Sequence, residues 1–211
     1  ALTFRKCKGF FDIVQYTGTG SAQAINHSLG STPGFIITKL ISADQTSNSD
    51  GGFWSAWHRS LGNNKYINIG NFIGNAATDT TVWNNTAPTA TQFTVGNANQ
   101  TNASGDWFVT YLFASKEGVS KLGWYTGTSA SQSLTFGFQP RLVLIKCTSH
   151  GNTKWALWDS LRGWDQCMDL SQTAGQTNFQ AFTVNSTGIT LSAGNGHTND
   201  TGRYYIYYAH A

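Results

Sequence analysis

The chain has 211 residues, of which 39% are apolar and 14% aromatic but only 11% charged, against about 25% in an ordinary globular protein. That apolar content builds a core and argues against disorder, and the absence of Ala/Leu/Glu/Lys-rich stretches argues against long helices. The net charge of +3 is scattered, with Lys6, Lys8, Lys39, Lys65 and Lys146 forming no block, so neither a nucleic-acid surface nor, without an 18-residue apolar run, a membrane-spanning helix is expected.

In chain order, short strands are expected at DIVQYTG, QAINHSL, PGFIITKLI, WSAWHRSL, KYINIG, TVW, TQFTVG and DWFVTYLFA. PGFIITKLI is nearly continuous in apolar residues, which predicts a central strand covered on both faces. In DWFVTYLFA, Trp107, Val109, Tyr111 and Phe113 share one face, and Phe108, Thr110 and Leu112 the other. Many short strands joined by Gly, Asn and Ser predict an all-β antiparallel sandwich, jelly-roll-like.

The second half repeats the first. Tyr16-Thr17-Gly18-Thr19 returns as Tyr125-Thr126-Gly127-Thr128, and SLGSTPGFIITK, ending at Lys39, as TFGFQPRLVLIK, ending at Lys146. Trp54-Ser55-Ala56-Trp57 returns as Trp155-Ala156-Leu157-Trp158, Phe93-Thr94-Val95 as Phe182-Thr183-Val184, and NASGDWFVTYLFA as NDTGRYYIYYAHA. This predicts two tandem sandwich units, 10–115 and 116–211, preceded by a segment, 1–9, that matches the end of a unit. A single large sandwich shared by both copies is the alternative. An opening segment of that kind, with Leu2 and Phe4, could add to another subunit's sheet, as could the closing strand with Tyr205 and Tyr207.

Few residues suggest chemistry. The single Glu, Glu117, falls in the linker SKEGVS, and Asp159, Asp165 and Asp169 read as turn-forming residues rather than a hydrolytic pair. His27, His58, His150, His197 and His210 lack zinc spacing, and His58 stands where the second copy has Asp159. In ADQTSNSDGG, Asp44, Asn48, Asp50 and Gly51 suggest a calcium loop, but both anchoring positions fail and a surface loop is expected. No cofactor is therefore expected. The three cysteines, Cys7, Cys147 and Cys167, have no metal spacing; buried thiols are expected, with a Cys147–Cys167 bridge as the alternative. Among the tryptophans, Trp54 and Trp57 point to opposite faces of a strand, as do Trp155 and Trp158, so at least one of each pair faces a core. Trp164 and Trp83 are the candidate sugar platforms. Asn-x-Ser/Thr sequences occur at Asn26, Asn84, Asn99, Asn102, Asn185 and Asn199.

The string FRKCKGFFDIVQYTGTGSAQAINHSLGSTPGFIITK, with WHRSLGNNKY, WNNTAPTATQFTV and NASGDWFVTYLFA, resembles a repeat of phage virion proteins, cyanophage and tail-fibre-like proteins included. The second copy departs from it, with TFGF for HSLG and WDSLRG for WHRSLG. The resemblance implies a structural or adhesion role at a virion surface or outside the cell, with no catalytic residue. It also implies self-association, other virion proteins and a cell-surface polysaccharide as partners. A protomer of a helical extracellular filament and a carbohydrate-binding module of a secreted protein are the alternatives.

Overall fold

A computed structural model describes residues 5–42, 54–70, 74–172 and 175–211. The chain is all-β and antiparallel, and it divides into two compact units, Ala1–Ile69 with Ala76–Ser115, and Lys116–Ala211 with Gly70–Asn75. Leu2 and Phe4, and the whole of ADQTSNSDGG, lie outside the described residues.

Unit 1 contains β1 (Phe11–Thr17), β2 (Gln23–Asn26), β3 (Phe35–Leu40), β4 (Trp54–His58), β5 (Lys65–Ile69), β6 (Ala77–Thr78), β7 (Gln92–Val95) and β8 (Trp107–Phe113). A single helical turn, α1 (Asn99–Asn102), precedes β8. The main sheet runs β1-β8-β3-β4-β5-β6, and β2 and β7 form a small second sheet. Alternation along the strands builds the core between them. Ile36, Trp57 and Leu112 from the large sheet meet Ile25, Phe93 and Val95 from the small one, with Leu29, Val82 and Trp83 filling the rim. The expected TVW strand is irregular instead. Its carbonyls serve the next segment, Thr81 O accepting from Ala98 N and Val82 O from Gly96 N and the Thr101 hydroxyl.

Unit 2 contains β9 (Ser120–Thr126), β10 (Gln132–Thr135), β11 (Leu142–Cys147), β12 (Trp155–Asp159), β13 (Gly163–Asp169), β14 (Thr177–Asn178), β15 (Phe182–Asn185), β16 (Gly188–Leu191) and β17 (Tyr204–His210). Its sheets are β14-β13-β12-β11-β17-β9 and β10-β16-β15. Val143, Ile145, Trp158, Tyr205 and Tyr207 pack against Phe182, Ile189 and Leu191. Trp57 and Trp158 enter the cores between the sheets, and each anchors its indole N–H, to Gly62 O and Phe179 O respectively; Trp155, on the other face of β12, is buried as well, whereas Trp54 is exposed.

The repeated Tyr-Thr-Gly-Thr and Asn-x-Ser/Thr-Gly segments form one node in each unit. Asn102, wholly buried, donates its amide to Ser21 O (2.7 Å) and Gly96 O (2.5 Å), while its Oδ1 accepts from Thr19 N (2.9 Å) and Gln23 Nε2 (2.7 Å). Asn199 repeats this with Ala130 O, Ser192 O, Thr128 N and Gln132 Nε2. The Tyr16 hydroxyl donates to Thr101 O and the Tyr125 hydroxyl to Thr198 O, both at 2.5 Å. Gly18 and Gly127 are required because a Cβ would lie 2.0 Å from Ala103 O and 2.1 Å from Asp200 O. A buried amide with all four hydrogen-bonding sites satisfied is what lets so polar a residue sit in the interior. It also removes Asn102 and Asn199 as surface modification positions in the folded protein; Asn26, Asn84, Asn99 and Asn185 are exposed.

Sheet pairing corrects one match of the duplication. β7 pairs with β2, placing Phe93 opposite Ile25, but β10, the counterpart of β2, pairs with β16, placing Leu134 opposite Ile189. The node agrees, because its amide is accepted by Gly96 after β7 and by Ser192 after β16. Ile189-Thr190-Leu191 therefore stands where unit 1 has Phe93-Thr94-Val95, and Phe182, following Ala181 as Trp83 follows Val82, stands where unit 1 has Trp83. Three residues of Phe-Thr-Val alternation fit any half-buried strand, and loops of different length on either side let them align on the wrong one.

Candidate ligand-binding surface

The sequence-derived candidates separate in the structure. Trp83 is 2% exposed, inside the unit 1 core, so it has no ring face for a ligand. Trp164 is half-buried, its ring centroid 5.8 Å from that of Phe182, and it packs on the unit 2 core. Tyr205 and Tyr207 are core residues of β17, which lies between β11 and β9. A strand with neighbours on both sides has no edge to offer, so the closing strand is corrected from an assembly edge to a sheet interior.

The titratable residues serve local structure. Asp159 Oδ1 accepts from Leu161 N and Arg162 N while Oδ2 pairs with the Arg162 guanidinium, fixing the β12–β13 turn. Burial would raise the Asp159 carboxyl, but the Arg162 contacts and the Leu161 N–H outweigh it and hold it below the ordinary value. In unit 1, His58 Nδ1 performs the same task by accepting from Ser60 N. Different residues at this pair of positions thus do one job, which is turn capping. Asp165 is exposed, and Asp169 accepts from Ser171 N, so the three clustered Asp are bound into separate contacts. All three cysteines are free thiols; Cys147 and Cys167 are buried, and burial pushes Cys167 up to about 11. Among the described residues no three His, Cys, Asp or Glu side chains come together as a metal set.

Among the described residues, the large apolar side chains left exposed are four aromatic ones, Trp54, Trp107, Trp124 and Tyr204, with Ile41 and Leu161. Trp107 at the start of β8 is 56% exposed and Tyr204, its counterpart at the start of β17, 54%. Both are pinned alike. Trp107 N donates to Ser42 Oγ and its carbonyl accepts from Ile41 N; Tyr204 N donates to Ser149 Oγ and its carbonyl accepts from Thr148 N. In unit 1, Trp54 (38% exposed) stacks on Tyr111 with ring centroids 5.8 Å apart and planes at 25°. In unit 2, Trp124 on β9 is 60% exposed and lies opposite Ile206, while Tyr204 lies opposite Thr126. Trp124 and Tyr204 are thus diagonal neighbours on one face, a spacing within reach of large rings. Both rings belong to the strand residues that alternate with the core set, and they are exposed although Leu122, Ile206 and Tyr208 on the same face are buried. Trp107 was already on the face opposite Phe108 by parity, and Trp124 precedes the core-facing Tyr125, so strand alternation was the signal that could have found them.

A model of a family described as a domain of unknown function, DUF7483, matches residues 5–211, nearly the whole chain across both units. The chain belongs to that family. No curated protein matches it.

Proposed function

We propose that this member of the DUF7483 family is a non-enzymatic structural and adhesion protein of a phage virion surface, part of a tail fibre, spike or similar assembly, that self-associates. One observation carries the reading. Two copies of one sandwich share a buried polar frame, and each holds an exposed aromatic ring, Trp107 or Tyr204, at the same place, with its backbone pinned by a Ser hydroxyl. Stiff tandem units of this kind transmit load, and repetition of weak contacts gives firm attachment to a cell-surface polysaccharide or to other virion proteins.

Light scattering and negative-stain microscopy of the native material test this. An integer multiple of 22.9 kDa, with antibody to the chain decorating virions, is the expected result. Dispersed single chains with no virion label would overturn it. Regular filaments without virions would favour a helical extracellular assembly, and single chains that bind polysaccharide would favour a free carbohydrate-binding module.

A further inference from the structure

We propose that Trp124 and Tyr204, exposed at one end of the face of β9 and β17 that alternates with the core residues, form a stacking platform for a neutral hexopyranose of a polysaccharide. The inference rests on the adhesion reading and names the ligand class and the site. Three observations support it. First, an aromatic ring stays exposed at the equivalent position of both copies, Trp107 and Tyr204, with the same Ser hydroxyl and the same flanking N–H fixing its backbone. Packing obliges a duplicated fold to share its core, but it makes no such demand on a ring more than half in water. Second, unit 2 adds a second exposed ring beside the first: Trp124 occupies the diagonal position where unit 1 has Gln15 beside Trp107. Two adjacent ring faces, each with a negative quadrupole, suit the polarised C–H face of a pyranose. Third, the neighbouring cations are already engaged. Thr126 stands opposite Tyr204; Lys146, opposite Ile206 on β11 and so diagonal to Tyr204 on the same face, is wholly buried and donates to Thr153 O and Oγ1, and Arg203 is paired with Asp200 at 2.9 Å and bonds Gly196 O. A neutral polyol fits that rim better than an anionic polymer.

The test is affinity electrophoresis of the intact chain through gels containing dextran, laminarin, galactomannan or mannan, with tryptophan fluorescence followed in parallel. Retardation by at least one polysaccharide is expected, falling about tenfold in apparent affinity for Trp124→Ala and for Tyr204→Ala, since one lost ring contact of about 1.4 kcal/mol is a tenfold change. Leu161→Ser, at an exposed turn, is the control and should bind as the parent does. Both platform positions are exposed, so unchanged thermal midpoints are expected, and Tyr204→Trp should retain binding if an Ala variant misfolds. No retardation by any of the four, or retardation unaffected by both substitutions, would overturn the site. Lower oligomeric mass in Trp124→Ala would also overturn it, assigning the face to contacts between copies. Loss of the site with the oligomer intact leaves the structural reading standing. A glycan-binding single chain of 22.9 kDa would instead remove that reading and keep the site.

Discussion

The same row of five residues crosses the core face of both main sheets, and the two units fill it in opposite ways. In unit 1 it reads Val14, Thr110, Thr38, Ser55 and Asn68 across β1, β8, β3, β4 and β5. It is a ladder of hydroxyls and amides: Thr38 and Thr110 bond at 2.7 Å, and the Ser55 hydroxyl lies 3.3 Å from Asn68 Oδ1 and 3.1 Å from Gln100 Oε1. In unit 2 the row reads Gly123, Tyr207, Ile145, Ala156 and Asp169. Tyr207 fills the space over Gly123, where a Cβ would lie 2.4 Å from its hydroxyl oxygen. Large opposite small replaces medium opposite medium, which conserves volume while exchanging polar specificity for aromatic packing. The lesson is that the duplicated frame tolerates either filling, provided the node that closes it is kept.

Four experiments break or sharpen this comparison, in order of expected effect. Asn102→Leu and Asn199→Leu attack what the units share, and each should cost its own unit about 3–5 kcal/mol, because four partners lose a buried bond. Urea titration with hydrogen exchange resolved by unit would read this, and unequal losses would break the claimed equivalence. Gly123→Val attacks what they do not share. It should cost unit 2 about 3 kcal/mol and be largely restored by Tyr207→Thr, which recreates the unit 1 pair; a purely additive double mutant would refute the volume argument. Thr110→Val leaves the buried Thr38 hydroxyl without its partner, for a loss of about 1–3 kcal/mol from unit 1 alone, whereas Thr38→Val with Thr110→Val should recover most of it.

The smallest effect is a pH dependence of unit 2. Lys146 is wholly buried, its ammonium donating to Thr153 O and Oγ1, and burial holds it at about 8, below its ordinary 10.5. Above pH 8 the unfolded chain therefore keeps a proton that the folded one releases, so stability rises with pH. Burial of Cys167, raised from 9.0 to about 11, acts in the reverse direction above pH 9, which leaves pH 8–9 as the clean window. Urea midpoints should climb across that window and stay flat in Lys146→Met. In unit 1 the counterpart Lys39 is only half-buried, so the same measurement there should show a weaker climb.

Most strand positions, the central place of β3, the face assignment of β8 and the burial of at least one Trp in each pair were legible because each follows from alternation and apolar content, whereas which Trp is buried, and that both Trp155 and Trp158 are, was not. The Asn102 and Asn199 nodes were visible only as repeated letters, and even as glycosylation sequences, since a buried amide and an exposed one are spelled alike. Trp83 was misread as a surface ring because it precedes a polar-looking turn, with Asn84 and Asn85 both at positive φ, that conceals how deeply it is set. The Trp124–Tyr204 pair could not be seen at all without register, because the two residues are far apart in sequence and meet only across paired strands.

The last strand of each unit is not at the margin of its sheet. β8 separates β1 from β3, and β17 separates β9 from β11. On a ribosome adding about 5–20 residues per second, β1 and β3 therefore wait several seconds before the strand that joins them exists. Such late, long-range closure makes for slow folding. Asn102 and Asn199 are made just before that strand, and until it docks their amides are open to any enzyme that reads Asn-x-Ser/Thr. A sugar attached then would occupy the space the node needs, so a secretory host that glycosylates nascent chains should yield less folded protein than one that does not.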